Sequence, residues 1–117
     1  MSIRIPSSVS RPLQFKNGIA LGMSNRWHQG QYCAILTKIG IVGCAIYGLE
    51  VPAKFQQAIA IAAGTPENPL VEPEDLFNAT ICGLTPRAAE LGIAEGMTGR
   101  EAVECMLRAE ADIEDDC

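Results

Sequence analysis

The sequence predicts an α+β domain: an antiparallel four-stranded meander followed by three to four helices packed on the sheet. Three observations carry that expectation. Apolar residues alternate with a period of two on either side of Asn17-Gly18, as in a half-buried hairpin. A segment from Ile41 to Leu49 is apolar at both parities, which suits a strand covered on two faces. Helix start and stop signals begin only at Pro52 and continue at Thr85-Pro86, Gly92 and Thr98 with Glu101.

Residues 1–10 contain Pro6 and four serines with no period, so they are expected to form a mobile arm before a domain spanning 11–109. In the first strand Leu13 and Phe15 alternate with Gln14 and Lys16, and Asn17-Gly18 makes the tight turn. Ile19, Leu21 and Met23 form the returning strand. Ser24 to Gly30, SNRWHQG, is polar and turn-rich, and reads as a loop. A third strand follows from Gln31 to Thr37, then a turn through Gly40, then the fourth strand, in which Gly43 and Gly48 mark a bulge or a close backbone approach.

Pro52 suits the first turn of a helix. Ala53 to Ala63 reads as that helix, closed by Gly64, although AIAIAA can also be read as a strand. As a helix it is apolar on all sides from Ala58 to Ala63, which predicts a subunit interface there. Three prolines make 65–73 irregular, a helical turn follows at Glu74 to Asn78, and Ala79 to Gly83 adds a short strand. Thr85-Pro86 opens a helix that ends at Gly92. In the last helix Thr98 and Glu101 form a capping box, Ala102, Cys105, Met106 and Ala109 form one apolar stripe, and Glu104–Arg108 is an i,i+4 pair. An acidic tail, 110–117, completes the chain.

Composition narrows the function class. At 117 residues, 48% hydrophobic and 20% charged, the chain is long enough for one domain with a real core and too apolar for disorder. No apolar run approaches the ~20 residues of a membrane span, and the start lacks a signal-peptide core. Membrane and export roles are therefore not expected. The net charge of -5 is unevenly spread: residues 1–49 hold five bases and no acid, whereas 50–117 hold all fourteen acids and four bases. That asymmetry suggests a basic layer facing an acidic surface of the same chain or of another copy. Five scattered bases do not make a phosphate-tracking patch, so nucleic acid is not an expected partner.

The five cysteines, Cys33, Cys44, Cys82, Cys105 and Cys117, are odd in number and lack CxxC spacing. They predict free thiols in a reducing cytoplasm, with no metal site and no cofactor. Cys33 and Cys44 attract attention together. Either even-length turn between the third and fourth strands places residue 33 opposite residue 44, with Cβ atoms about 4.5–5.5 Å apart. Two small thiols filling a tight layer, or a latent redox pair, both fit that register. A three-residue turn would instead oppose Cys33 and Ala45.

The ligand-binding candidates are Arg26, Trp27, His28, Cys44 and Arg100. The first three share the SNRWHQG loop, where Trp stacks and Arg or His receives an anion. Arg100 lies in GMTGRE, where glycines precede a helix N-terminus without the Lys-Ser/Thr of a nucleotide loop. No nucleophile elbow or Ser-His-Asp set emerges. A strand cysteine such as Cys44 with His28 as base remains the route to catalysis.

The stretch from Ala88 to Leu107, AAELGIAEGMTGREAVECML, resembles the ending of YunC-like domains, a small bacterial and archaeal family of unknown function. The matching residues are Leu91, Gly92, Ile93, Gly96, Met97, Thr98, Gly99, Arg100, Glu101 and Ala102. Upstream, Cys44 to Val51 resembles the family's apolar strand ending Leu-Asp-Val, and Glu74-Asp75-Leu76-Phe77 its Asp-Leu-Leu segment. Anchored on Leu49-Glu50-Val51, the family cysteine falls at Ile46 rather than Cys44. The resemblance implies a compact, self-associating α+β domain with no activity to inherit. The expectation is therefore a homo-oligomeric cytoplasmic domain that binds a small, anionic ligand or a protein partner without catalysis. The alternative is a small enzyme using Cys44 or His28.

Overall fold

The structure, a computed structural model, describes residues 3–115. Six strands form one sheet in chain order: β1 (Ser7–Phe15), β2 (Gly18–Trp27), β3 (Gly30–Leu36), β4 (Gly40–Cys44), β5 (Ala58–Ala62) and β6 (Ile81–Leu84). All neighbours are antiparallel except β4 and β5, which run parallel. A parallel pair needs a crossover. Residues 45–57 supply it, with the short helix α1 (Glu50–Lys54). A 3-10 turn at Pro73–Leu76 follows, then α2 (Pro86–Glu90) and α3 (Gly99–Asp115).

The expected meander of four strands is present, as β1 to β4, and three helices follow, but the sheet gains two strands. The main correction concerns Ala53 to Ala63. Its helix stops at Lys54, Gln56 takes a left-handed φ of 57°, and the AIAIA run becomes β5. Alternation decides the matter. Ala58, Ala60 and Ala62 face α3, while Ile59 and Ile61 face the crossover, so the segment is apolar because both faces are covered within one chain. The all-round apolar surface that suggested a subunit interface is core.

Strand limits also differ. β2 runs on to Trp27, because β1 begins at Ser7 and pairs Ser7 with Arg26. Part of the expected arm is thus strand, and the expected SNRWHQG loop shrinks to a two-residue turn, His28-Gln29, with Gln29 at φ 61°. The first turn is Lys16-Asn17, one residue earlier than expected, since Phe15 pairs with Gly18. β4 ends at Cys44, where Tyr47 N–H donates to the Cys44 carbonyl and turns the chain. α3 reaches Asp115, so the expected tail is helical that far. Met1, Ser2, Asp116 and Cys117 lie outside the described residues.

The core sits between one sheet face and α3. Phe15, Ile35, Val42, Ala60 and Ile81 meet Leu76, Ala102, Val103, Met106 and Leu107, all buried. The capping box forms as expected: the Thr98 hydroxyl accepts from Glu101 N–H, and Glu101 accepts from Thr98 N–H. Thr85 caps α2 through Ala88 N–H. Arg108 acts on Glu104 as the i,i+4 spacing predicts, but the hydrogen bonds of that carboxylate reach further. The Glu104 carboxylate accepts from the backbone N–H of Lys16 at 3.0 Å and of Asn17 at 2.9 Å, and from Asn17 Nδ2. Burial raises the Glu104 pKa, but these hydrogen bonds outweigh it, and the net shift is downward.

Candidate functional site

The site that gathers the most chemistry lies where β3 meets β4. The ladder pairs Leu36 with Ile41, Ile35 with Val42 and Ala34 with Gly43, the register the even-length turns predict. One step further, Cys33 and Cys44 stand opposite one another on the α3-facing side. They lie close enough for each thiol to shift the other's titration, Cys33 upward and Cys44 downward. Both are free thiols.

Their surroundings differ. Cys33 is fully enclosed, at 0% exposure, whereas Cys44, at 8%, is the last residue of β4, followed by exposed Ala45 and Ile46. The Cys33 hydrogen bond lowers the Cys44 pKa to about 6 against the opposing effect of burial, and the Ile46 N–H adds to the lowering. Cys33 moves the opposite way, well above the usual thiol range. It holds its proton on Cys44, is buried, and lies near the carboxylates of Asp75 and Glu72. The pair is biased towards negative charge on Cys44 and a proton on Cys33.

Behind this pair, on the other sheet face, Tyr47 folds back over Gly43, where any side chain would strike its ring at 2.6 Å. Tyr47 meets Tyr32 edge-on at 5.6 Å between centroids, and Tyr32 meets Trp27 at 5.9 Å. Burial pushes the Tyr47 hydroxyl up to about 12, with Tyr32 and the two cysteines adding to the shift. Asn25, opposite Tyr32 in the ladder, has a buried Nδ2 with no hydrogen-bond partner.

The predicted site residues separate into three places. Trp27 heads the aromatic row. Arg26 turns to the α3-facing side and pairs with Glu72, next to Arg11, which pairs with Glu74 and lies 3.7 Å from Glu72. His28 occupies the β2–β3 turn and lines an open hollow with Ile3, Arg4, Ile5, Ser7, Arg26 and Trp27, which contains no cysteine. A second hollow joins Arg26 and Trp27 to Ile46, two residues beyond Cys44. Arg100 is remote from all of these: its guanidinium lies over the Phe77 ring at 4.3 Å and near Phe15 at 5.9 Å. Sequence reasoning missed Tyr32, Tyr47 and Glu72, whose places depend on the turn after Cys44 and on the loop before Pro73. Among the described residues, no three of His, Cys, Asp and Glu are grouped to hold a metal.

A second feature is the open face of β1 to β3. On the side away from α3, strand positions place Pro12, Gln14, Ile19, Leu21, Met23, Asn25, Trp27, Tyr32, Ala34 and Leu36. None is charged. Tyr47 covers one end, but at the other Ile19 is 61% and Leu21 41% exposed. There Pro12, Ile19, Leu21 and Leu36 line a shallow apolar groove with Lys38 at its rim.

A family model described as a domain of unknown function, DUF1805, matches residues 43–106, which is 64 of the 117 residues. The chain belongs to this family. The match takes in Cys44, the crossover, the 3-10 turn and the start of α3 as far as Met106, while β1, β2 and β3 with Cys33 precede it. The DUF1805 fold is also that of a solved structure, a protein of unknown function, TA1206, from Thermoplasma acidophilum. The two agree over 89% of this chain and 97% of that one, with a TM-score of 0.73 and 12% identity. At that identity the likeness concerns the fold. No curated protein matches the chain. Among the described residues, no helix is long and apolar enough to cross a membrane.

Proposed function

We propose that this DUF1805 domain is a non-catalytic association module whose partner is a second copy of the chain, meeting it through the open face of β1 to β3. The observation that carries this reading is the uncharged sheet face on which Ile19 and Leu21 stand exposed. An exposed apolar groove of this kind marks an interaction surface. The chain carries a net charge of -5, so two copies repel except where they meet on uncharged surface. A two-fold contact lays a patch on itself, and a face without charges meets that requirement. Charge complementarity between halves gives no support, because Arg11 and Arg26 already pair with Glu72 and Glu74 in the same chain. We keep the cytoplasm as its place, on the strength of the free thiols.

A small anionic ligand is less favoured. Arg26 is paired, and Arg100 is committed to Phe77. The enzyme alternative retains Cys44 but loses His28 as its base, since the hollow that holds His28 contains no thiol. Light scattering on the eluted protein tests the association directly. The parent is expected at about double the 12.5 kDa chain mass, and Leu21→Asp at the chain mass itself. A parent that runs as a single 12.5 kDa species at micromolar concentration, or a Leu21→Asp variant that keeps the doubled mass, overturns the reading.

A further inference from the structure

We infer that Cys33 and Cys44 form a reversible dithiol site, which small-molecule disulfides oxidise to an intrachain disulfide, with Cys44 attacking and Cys33 resolving.

The geometry sets both the pairing and the division of labour. Residues 33 and 44 lie one step beyond the Ala34–Gly43 pair, on one face of adjacent antiparallel strands, and both belong to the same buried core cluster. Directly opposed Cβ atoms stand about 4.5–5.5 Å apart, and a disulfide requires about 3.5–4.5 Å. The closure needed is about 1 Å. Cys44 is placed to make it, because β4 ends there and the chain beyond is a turn rather than a further ladder. Cys44 is also the one of the two that a dissolved reagent reaches, through the exposed Ala45–Ile46 turn, while Cys33 is sealed. The turn supplies the Ile46 N–H to a negative sulfur, and Cys33 supplies its S–H. The attacking group is therefore stabilised as thiolate, and the resolving group stands beside it with its proton.

The chemistry balances as an exchange. The Cys44 thiolate attacks one sulfur of a disulfide R–S–S–R. A Cys44–S–S–R bond forms, and RS⁻ leaves. Cys33 then gives up its proton to solvent or to the departing RS⁻, and its sulfur attacks Cys44 Sγ. The Cys33–Cys44 bond forms, and the second RS⁻ leaves. Two protein thiols are oxidised, one R–S–S–R is reduced to two R–SH, and excess R–SH reverses both steps. Neither Cys82 nor Cys105 offers an equivalent site: Cys82 is exposed, and Cys105 faces the Gly92 carbonyl and the Arg108 guanidinium.

The test uses the full chain and oxidised glutathione at neutral pH. The reaction is quenched with acid, the remaining thiols are alkylated, and the peptides are mapped by mass. The expected product joins the Cys33 and Cys44 peptides with the loss of two hydrogens, carries no lasting glutathione on Cys44, and is reversed by reduced glutathione. Cys33→Ser is expected to raise the glutathione adduct on Cys44 by on the order of tenfold over the parent. Cys44→Ser is expected to leave Cys33 unmodified. Two results in the parent overturn the proposal without relying on any variant's folding. One is glutathione held on Cys44 while Cys33 is fully alkylated. The other is complete alkylation of both while exposed Cys82 carries glutathione, which shows that the oxidant was active. The site does not depend on the association proposed above, and the bridge is expected equally in monomeric Leu21→Asp.

Discussion

The two halves of the sheet use apolar residues in opposite ways. In β4 to β6 both faces are covered, by α3 on one side and by the crossover on the other, and the residues that face α3 from β5 are three alanines. Small side chains there let the covering layers approach closely. In β1 to β3 one face is covered and the other is open, and the larger aliphatic side chains Ile19 and Leu21 stand on the open one. Apolar size therefore does not report burial in this chain. A row of alanines marks its interior, and isoleucine and leucine stand exposed on the open face.

The largest effect is expected where the covered half is densest. Met106 is fully buried, with the Thr37 hydroxyl 3.7 Å from its sulfur. Met106→Ala is expected to leave a cavity costing about 2–5 kcal/mol, read as a lower denaturant midpoint. An unchanged midpoint would show that α3 does not pack as described.

A smaller effect belongs to the seam between the halves. Cys44 has its pKa lowered to about 6, from the 9.0 of an ordinary thiol. Between those values the folded protein has released a proton that the unfolded chain still holds, so stability rises with pH from about 6 to about 9 and is lost as pH falls through the lower value. Cys33 is shifted upward, and above pH ~9 the unfolded chain releases a proton that the folded one keeps, so stability falls again. Denaturant midpoints across this range should show the rise in the parent and lose it in Cys44→Ser. A rise of the same size in both would assign it to other groups.

The smallest effect is expected on the open half. Ile19→Ser, measured on dilute monomeric protein, should change the folding free energy by no more than about 0.5 kcal/mol. A loss of 2 kcal/mol or more, on the scale of a buried aliphatic side chain, would mean that the face is covered within the monomer.

Much of this architecture could be read from the residues. The first hairpin and the Thr85 and Thr98 caps follow from local alternation and cap chemistry, whereas the opposition of Cys33 and Cys44 follows only for an even-length turn, which the β3–β4 register supplies. The segment 58–62 did not yield so easily, because Ala and Ile in alternation satisfy a helix and a doubly covered strand alike, and only the partner strands decide. The loop reading of SNRWHQG failed because its pairing partner, the start of β1, carries no apolar period of its own. The place of Arg100 at a helix start makes it a ligand-binding candidate, whereas its aromatic neighbours, Phe15 and Phe77, come from segments far away in the chain. Glu72 and Tyr47 are significant only through such distant partners.

The grip of Glu104 on the Lys16-Asn17 turn joins residues 88 and 87 positions apart. Its consequence is one of timing. During synthesis the β1–β2 hairpin emerges well before the carboxylate that holds its turn, which is made 87 residues after Asn17. Closing so long a loop is slow compared with forming a local turn. The turn between β1 and β2 is thus fully held only once α3 has returned to it.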